Sequence, residues 1–334
     1  RLVASGEAKR ASAIYVKLYT VPGNTPLHAA ALVGLAKANP EGAKKLIAEG
    51  LSAPDWRPQS AAITAAQAVY GKDASGVLVT MLPGLNPGPK VFVLRALDAS
   101  AETEVIAAAG DPDEMVRLAA LERLGQVGSA AGVPVLFQAA AAAPSSTQKA
   151  AVTALARISG PGADTAIGKL AGQGDPKSRA VAINALAQRD DQTALPALLK
   201  YAAEADPEVS SAACAALARL GTDKELEGLI QLVLAGKTAG ANAALQAVAT
   251  RAHDKSAASQ KLIALTRTAA PQQLAPIFEV LAVLGGNEAL AVLSSSAGGS
   301  NEEVKDAAIR ALANWPDFPA TQPLLVIASD PRTK

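Results

Sequence analysis

The chain has 334 residues, of which 50% are hydrophobic and only 3% aromatic, so its core must consist mainly of Ala, Leu, Val and Ile. This composition favours helices that pack closely through small side chains, and it disfavours a β-sandwich or barrel rich in aromatic residues. The 31 basic and 30 acidic residues leave a formal charge of +1, without the basic excess typical of nucleic-acid-binding domains. No apolar stretch approaches the roughly 20 residues that span a bilayer, so we expect no membrane span.

The first predicted element is an amphipathic helix in residues 7–19, with an apolar side formed by Ile14, Tyr15 and Leu18. We interpret residues 1–23 as an N-terminal cap or a partial repeat. The chain begins at Arg1 and shows no signal-peptide pattern, so the sequence leaves the compartment open. We expect a soluble protein, either cytoplasmic or exported after removal of a leader.

From residue 24 onward, apolar residues recur with a period near 31, which indicates a repeat protein. We define the anchor of each repeat as the last apolar residue of its first helix, here called the A-helix. The anchors are Leu35, Ala66, Leu97, Leu124, Leu155, Leu186, Leu217, Val248, Leu281 and Leu312. Neighbouring anchors are 31 residues apart, except for 27 residues after Leu97 and 33 residues after Val248.

Further columns accompany the anchors. The position three residues before each anchor is apolar or a thiol, and the position four residues before it is mostly Ala. About twelve residues after the anchor, a second apolar ladder predicts another helix, the B-helix, in every repeat. The ladder consists of Ile47, Leu78, Ile106, Leu136, Ile167, Leu198, Leu229, Leu262, Leu293 and Leu324. One helix pair cannot bury both apolar faces, so the pairs should stack and share a continuous core.

The clearest repeat begins with residues 111–125. Asp111 and Pro112 should open its A-helix, because Asp is a preferred N-cap residue and Pro is preferred in the first turn. Leu121 and Leu124 should lie on the buried face of this helix. Gly125 should end it, because a left-handed conformation costs least in glycine.

Two regions depart from the regular pattern. The 27-residue spacing and the loop 82–89, with its three prolines and two glycines, predict a change of curvature near residues 83–110. At the other end, no polar capping unit follows the last B-helix. We therefore expect residues 24–334 to form one array that continues past the C-terminus, with exposed apolar surface near Leu325 and Ile327.

On its 31-residue period, the pattern Asp-Pro-x-x-x-x-Arg-x-x-Ala-Leu-x-x-Leu-Gly of residues 111–125 resembles the HEAT repeat. More narrowly, it is similar to the short HEAT repeats of bacterial phycobilisome-lyase-type proteins. The resemblance covers residues 24–328 and implies an all-α fold, an α-solenoid with a right-handed superhelix of about ten two-helix repeats. A-helices would then line the convex side and B-helices the concave side. The resemblance also implies, by analogy, a binding or scaffolding role.

The basic position of the HEAT pattern is occupied by Lys or Arg in four of the ten repeats, among them Arg117 and Arg179. We interpret these two arginines as structural residues. They should bridge neighbouring repeats by pairing with loop acids such as Asp113 and Asp175.

No constellation of residues predicts a catalytic, cofactor or metal site. The two histidines, His28 and His253, lie some seven repeats apart, whereas a metal site needs clustered ligands. Cys214, the single cysteine, falls in the apolar column and should be a core residue. Trp56 and Trp315 lie near predicted helix ends and should fill gaps between repeats. We therefore expect a protein without enzymatic activity and without a cofactor.

A more polar column lies two residues beyond the B-helix ladder, on the opposite side of the helix. It includes Gln138, Lys169, Lys200 and Gln231, and Tyr201 stands beside Lys200. One hypothesis is a partner-binding groove on the concave side, centred on Lys169, Lys200, Tyr201 and Gln231, with Gln138 as a further contact. The other is that these residues are ordinary solvated positions.

Three functions are compatible with the sequence. The first is a protein-interaction scaffold, whose partner is another protein or another domain of the same longer chain. The second is a phycobilin-lyase-like, chromophore-handling protein, although few aromatic residues are present to form a bilin pocket. The third is a helical-repeat nucleic-acid binder, although a basic stripe is missing.

Overall fold

The structure is a computed structural model that describes residues 7–21, 25–142, 145–236, 240–316 and 318–329. Within these ranges the regular elements are 21 α-helices and five short 3-10 turns. Helix α1 (Ala8–Tyr19) is followed by ten pairs of an A-helix and a B-helix. The A-helices are α2 (Thr25–Ala38), α4 (Trp56–Tyr70), α6 (Pro87–Ala96), α8 (Glu114–Val127), α10 (Ser146–Arg157), α12 (Pro176–Gln188), α14 (Pro207–Leu220), α16 (Ala241–Thr250), α18 (Pro271–Leu284) and α20 (Glu302–Ala313). The B-helices are α3 (Pro40–Leu51), α5 (Ala74–Val79), α7 (Glu102–Ala108), α9 (Val133–Ala141), α11 (Ala163–Gly172), α13 (Leu195–Ala202), α15 (Leu226–Ala235), α17 (Lys255–Thr266), α19 (Asn287–Ala297) and α21 (Thr321–Ser329).

The chain divides into two compact units, residues 1–166 and residues 167–334. In the first unit, α1 packs on α2, and successive A-helices pack on one another from α2 to α10. In the second unit, the A-helices pack in the same way from α12 to α20. B-helices pack against the A-helices on either side, as α3 does with α2 and α4, and α19 with α18 and α20. None of the helices in the described ranges combines the length and the hydropathy of a membrane span.

The core consists of the columns predicted from the sequence. All ten anchors are buried, with at most 5% of any anchor residue exposed. The column four residues before the anchors is at most 1% exposed, so its small side chains lie where neighbouring helices meet. In the B-helices, the ladder residue is buried in eight repeats and half-buried at Ile106 and Leu324. The assignment of Ile106 is wrong by one residue, because Val105 is the fully buried side chain of α7.

Five of the A-helices in the described ranges are capped by a side chain that lies eleven residues before the anchor. In α8 this residue is Asp113, whose carboxylate accepts hydrogen bonds from the amides of Met115 and Val116 at 2.9 and 3.2 Å. Capping side chains occupy the same position at Asp55, Asp175, Asp206 and Asn301. The predicted start at Asp111 is therefore two residues too early. Hydrogen bonds from the Asp113 amide and the Lys90 ammonium instead lower the pKa of the Asp111 carboxyl.

The prediction that Gly125 ends its helix is wrong. Helix α8 continues to Val127, and Gly125 is buried inside it. A β-carbon at this position would lie 2.8 Å from the Cα atom of Ala154 in α10. Glycine is therefore required by the close approach of two helices, and not by a left-handed turn.

The 27-residue spacing shortens the end of one A-helix. Helix α6 stops at Ala96, one residue before its anchor, whereas every other A-helix continues past its anchor. Leu97 has left the helix, with φ −65° and ψ 146°, although its side chain remains buried. Its free carbonyl accepts a hydrogen bond from Nε of Arg123 in α8. A change of curvature near residues 83–110 stays a prediction.

Candidate functional site

The single cysteine of the chain occupies a structural position. Cys214 is 1% exposed, as predicted for a core residue, and burial raises the pKa of its thiol to about 11. A thiol with this pKa is protonated at neutral pH and is a poor nucleophile. The exposed His253 donates its backbone amide to the carboxylate of Asp223 at 3.1 Å. Within the described ranges, no group of three or more His, Cys, Asp and Glu residues is arranged to hold a metal ion.

Arg179 joins three consecutive elements of the second unit. Its guanidinium makes two parallel hydrogen bonds with the Glu204 carboxylate, at 2.6 and 2.8 Å, and Nε donates to the carbonyl of Ala171 at 2.9 Å. These hydrogen bonds lower the pKa of the Glu204 carboxyl. The expected pairing with Asp175 is wrong, because the Asp175 carboxylate caps α12 through the amide of Ser178.

Arg117 does not pair with Asp113 either. Its Nη1 donates to the backbone carbonyls of Asp111 and Pro112, at 2.8 and 2.7 Å. Both carbonyls lie in the turn before α8, so this arginine fastens its own helix start. The Asp113 carboxylate remains engaged with helix amides, which explains why it is not a partner of the guanidinium.

The predicted polar column is solvent-exposed, but its aromatic member is not free. Lys169, Lys200 and Gln231 are exposed on the B-helices of the second unit, and Gln138 is exposed on α9 of the first unit. Tyr201 is half-buried, and the Arg179 guanidinium stacks over its ring at 5.1 Å. Tyr201 therefore packs against Arg179, and its role as a partner contact stays a prediction.

The predictions for the two tryptophans and for the apolar residues of the last helix have different outcomes. Trp56 is 57% exposed, with the Arg57 guanidinium 5.1 Å from its ring centre, so it does not fill a gap between repeats. Trp315 is half-buried. On α21, Leu325 is 56% exposed, as predicted, whereas Ile327 is half-buried.

One candidate for a binding site is a groove between two B-helices of the second unit. A cavity of about 330 Å³ opens there, and we call it the α15–α17 groove. Its lining residues are Glu227, Ile230, Gln231, Lys261, Ala264 and Leu265. Both helices are positioned by α16, which packs on each of them.

The floor of the α15–α17 groove is apolar and its rim is polar. Ile230 is 3% exposed and Leu265 is half-buried, whereas Glu227, Gln231 and Lys261 are exposed. An apolar floor with a few polar groups around it is typical of sites that accept a side chain from another molecule. Glu227 lies on α15 and Lys261 on α17, so the two sides of the rim carry opposite charges.

The sequence identified Gln231 but missed the other members of the groove. Glu227 lies two residues before ladder residue Leu229, and Lys261 lies one residue before Leu262, so both are on the outer side of their helices. The 33-residue spacing was a usable signal. It moves ladder residue Leu262 to fourteen residues after its anchor instead of twelve. The turn before α17 has only four residues, so Leu262 lies deeper inside its B-helix than Leu229 does in α15.

A larger opening, of about 750 Å³, lies among the turns that join A-helices to B-helices in the second unit. Its polar groups make hydrogen bonds with the turns and helix ends around it. Glu225 accepts hydrogen bonds from the amide and the hydroxyl of Thr222, at 2.9 and 2.7 Å. Arg251 donates to the carbonyl of Ala218 at 2.5 Å. These contacts hold the turns together and explain the polar lining without a ligand.

Comparison with known proteins identifies the repeats. A family model described as HEAT repeats matches residues 102–173 and 163–249, so the chain carries HEAT repeats between residues 102 and 249. Helix α15 lies inside this region, and α17 lies beyond it. No curated protein sequence matches the chain significantly.

Among solved structures, 112 chains match. Kap121p, solved bound to Pho4p, has a TM-score of 0.51 and 14% identity over 96% of this chain, which spans 43% of the length of Kap121p. Human deoxyhypusine hydroxylase in complex with glycerol has a TM-score of 0.30 and 14% identity, over 94% of this chain and 99% of the hydroxylase. A designed armadillo repeat protein has a TM-score of 0.27 and 20% identity, over 64% of this chain and 98% of the designed one. The match to Kap121p confirms the predicted fold class, an all-α solenoid of two-helix repeats.

Proposed function

We propose that the chain is a non-catalytic protein-binding scaffold that holds a segment of its partner on the outer surface of its B-helices. The partner is another protein or another domain of the same longer chain. The α15–α17 groove is the observation that carries this proposal. It combines an apolar floor at Ile230 with exposed groups of opposite charge, Glu227 and Lys261.

The lining of the groove specifies the kind of segment that would fit. An aliphatic or aromatic side chain would displace water from Ile230 and Leu265, and burial of such a side chain is worth about 1.5–3 kcal/mol. A basic residue on one side of it would face Glu227, and an acidic residue on the other side would face Lys261. Exposed charges of this kind contribute more to orientation and to association rate than to affinity.

Two comparisons support a protein-binding role. HEAT repeats occur in the part of the chain that contains α15. Kap121p, whose fold this chain shares, was solved bound to another protein, Pho4p. The narrower similarity to the short HEAT repeats of bacterial phycobilisome-lyase-type proteins stays a prediction, which rests on the pattern of residues 111–125 and its 31-residue period.

A substitution that fills the groove tests the proposal. Ala264 is exposed and lines the groove, so Ala264→Arg would place a long charged side chain where the partner segment is expected, without removing any core residue. Ala215→Arg is the matched control, because Ala215 is exposed on the A-helix α14. The measurement is the Kd for a partner identified with the wild-type chain.

We expect Ala264→Arg to weaken this binding about tenfold or more, the effect of blocking one central contact. Ala215→Arg should leave the Kd unchanged. Equal Kd values for both variants and the wild-type chain would contradict the groove as the binding site. The other candidate functions would give different signals: a bilin would add a visible absorbance band, and nucleic-acid binding would weaken steeply with salt.

A further inference from the structure

Two exposed lysines and a half-buried tyrosine lie close together on neighbouring B-helices of the second unit. We call them the α11–α13 patch, which consists of Lys169, Lys200 and Tyr201. Helices α11 and α13 meet at Gly172, because a β-carbon there would lie 3.1 Å from the Tyr201 hydroxyl oxygen. Lys169 precedes Gly172 by three residues, so it lies on the same side of α11, one turn away. Lys200 is adjacent to Tyr201 on α13, so the three polar groups can reach one ligand.

The α11–α13 patch presents three hydrogen-bond donors and no carboxylate. Within the described ranges, neither ammonium group forms an ion pair. In the same ranges the Tyr201 hydroxyl makes no hydrogen bond, and it is not a buried atom, so it is open to solvent. The carboxylate of Glu204, in the loop after α13, is already held by two hydrogen bonds from Arg179. Such a set of donors fits a ligand rich in acceptor oxygens, above all a carboxylate.

Tyr201 is held in place before any ligand binds. The Arg179 guanidinium stacks over its ring at 5.1 Å, and Arg179 is itself fixed by Glu204 and by the carbonyl of Ala171. A side chain that is already ordered loses little conformational freedom on binding. The Tyr201 hydroxyl is therefore the preorganised donor of the patch, and the two flexible lysines add charge around it.

The α11–α13 patch continues into the α15–α17 groove. Leu199 of α13 packs against α15, since a β-carbon at Gly228 would lie 2.9 Å from its Cδ2 atom. Packed helices are about 8–10 Å apart, which places the patch about two helix spacings, or roughly 16–20 Å, from the groove. An extended chain advances about 3.3–3.6 Å per residue, so about five or six residues of a partner would connect the two.

We propose that the α11–α13 patch binds an acidic stretch of the partner segment whose apolar side chain enters the α15–α17 groove. The patch acts within the proposed protein-binding role, on which its assignment rests. Carboxylates of the partner accept a hydrogen bond from the Tyr201 hydroxyl and face the ammonium groups of Lys169 and Lys200. A nucleic acid fits less well, because the formal charge of the chain is only +1 and the exposed Glu227 carboxylate borders the adjoining groove.

Selection of peptides from a random library displayed on phage, with the full chain as the bait, tests this binding mode. We expect the enriched peptides to share an apolar residue and, about five or six positions from it, acidic residues. Lys169→Glu combined with Lys200→Glu should select Lys or Arg at those positions instead, because the charge preference is reversed. The matched control is Lys177→Glu combined with Lys224→Glu, which reverses two exposed lysines outside the B-helices and should select the same peptides as the wild-type chain.

An enriched peptide labelled with fluorescein then measures the contribution of the hydroxyl by fluorescence anisotropy. Tyr201→Phe keeps the ring under Arg179 and removes only the donor, so it should weaken binding about fivefold. Its unfolding in urea should match that of the wild-type chain, because the hydroxyl has no protein partner within the described ranges. Unchanged affinity of Tyr201→Phe would contradict the role of the hydroxyl.

The selections separate failure of the patch from failure of the groove. Enriched peptides with an apolar residue but without acidic residues would overturn the patch and leave the proposed function of the groove intact. Enriched peptides with acidic residues but no shared apolar residue would support the patch and contradict the groove. The patch is also overturned if the charge-reversed variant selects the same peptides as the wild-type chain, or if no peptide is enriched while the two lysines are needed to bind single-stranded DNA.

Discussion

At Gly125, helix α8 approaches α10 so closely that a side chain would have no room. Gly125→Ala would place a β-carbon 2.8 Å from a backbone atom of Ala154, which cannot move without shifting α10. Such overpacking costs about 1–3 kcal/mol, of which the better helix propensity of Ala recovers at most about 1 kcal/mol. We therefore expect Gly125→Ala to lower the free energy of unfolding in urea titrations.

Gly76 of the same unit provides the matched control. It lies in helix α5, and a β-carbon there would meet nothing within 4 Å. Gly76→Ala should stabilise the chain by about 0.5–1 kcal/mol, through helix propensity and a less flexible unfolded state. If both substitutions changed the unfolding free energy in the same direction, the close approach at Gly125 would not be the reason for its glycine.

The Glu204–Arg179 pair should make stability depend on pH in the acidic range. The hydrogen bonds from Arg179 lower the pKa of Glu204 in the folded chain below its usual value near 4.5. A lowered carboxyl pKa gives a contribution that is present above the unfolded pKa and is lost as the pH falls through the folded pKa. Because the Glu204 side chain is 37% exposed, we expect only about 1 kcal/mol from this bidentate pair.

Glu204→Gln measures this contribution. Urea titrations should show a lower unfolding free energy for the variant than for the wild-type chain at pH 7. The difference should shrink progressively below about pH 4, where the wild-type carboxyl also becomes neutral. A difference that persisted undiminished in acid would show that packing, and not the charge of Glu204, stabilises this turn.

Periodicity predicted which side of a helix a residue occupies, but not what the side chain contacts. It placed Cys214 in the core and Lys200 on the surface, as the structure has them. It could not show that Tyr201 lies under Arg179, because that contact depends on the position of Glu204 in the following loop.

At the scale of the helices, the sequence predicted the number and order of the elements better than their ends. The ten anchors place all ten A-helices, because burial recurs with the repeat period. The start of α8 was misplaced because Asp111-Pro112 and Asp113 both fit the preferences for a helix start. Three-dimensional contacts decide between them. Here the Asp111 carboxylate accepts a hydrogen bond from the Lys90 ammonium, and Asp113 is left to cap the helix.

Substitution of Asp113 tests the corrected start of α8. Asp113→Ala removes the acceptor for the amides of Met115 and Val116, so it should lower the unfolding free energy by about 1 kcal/mol. Asp113→Asn keeps an acceptor oxygen and should be nearly neutral. Urea unfolding of both variants measures these changes. Equal losses of unfolding free energy would mean that the charge of Asp113, and not its capping hydrogen bonds, stabilises the helix.

At the scale of the molecule, the same helix pair recurs beyond the residues that the HEAT family model matches. Within the described ranges, A-helices stack on A-helices both before residue 102 and after residue 249. The B-helices bury their ladder residues in this core and expose their opposite side. Lys169, Lys200 and the α15–α17 groove all lie on that surface, in the second unit.

Site-specific photo-crosslinking locates the partner most directly. A photoreactive residue at Gln231 would stand at the rim of the α15–α17 groove, and one at Gln272 would stand on the A-helix α18, where Gln is also exposed. We expect the partner to be crosslinked efficiently from position 231 and not from position 272. Crosslinking from position 272 alone, or equally from both positions, would contradict binding of the partner on the outer surface of the B-helices.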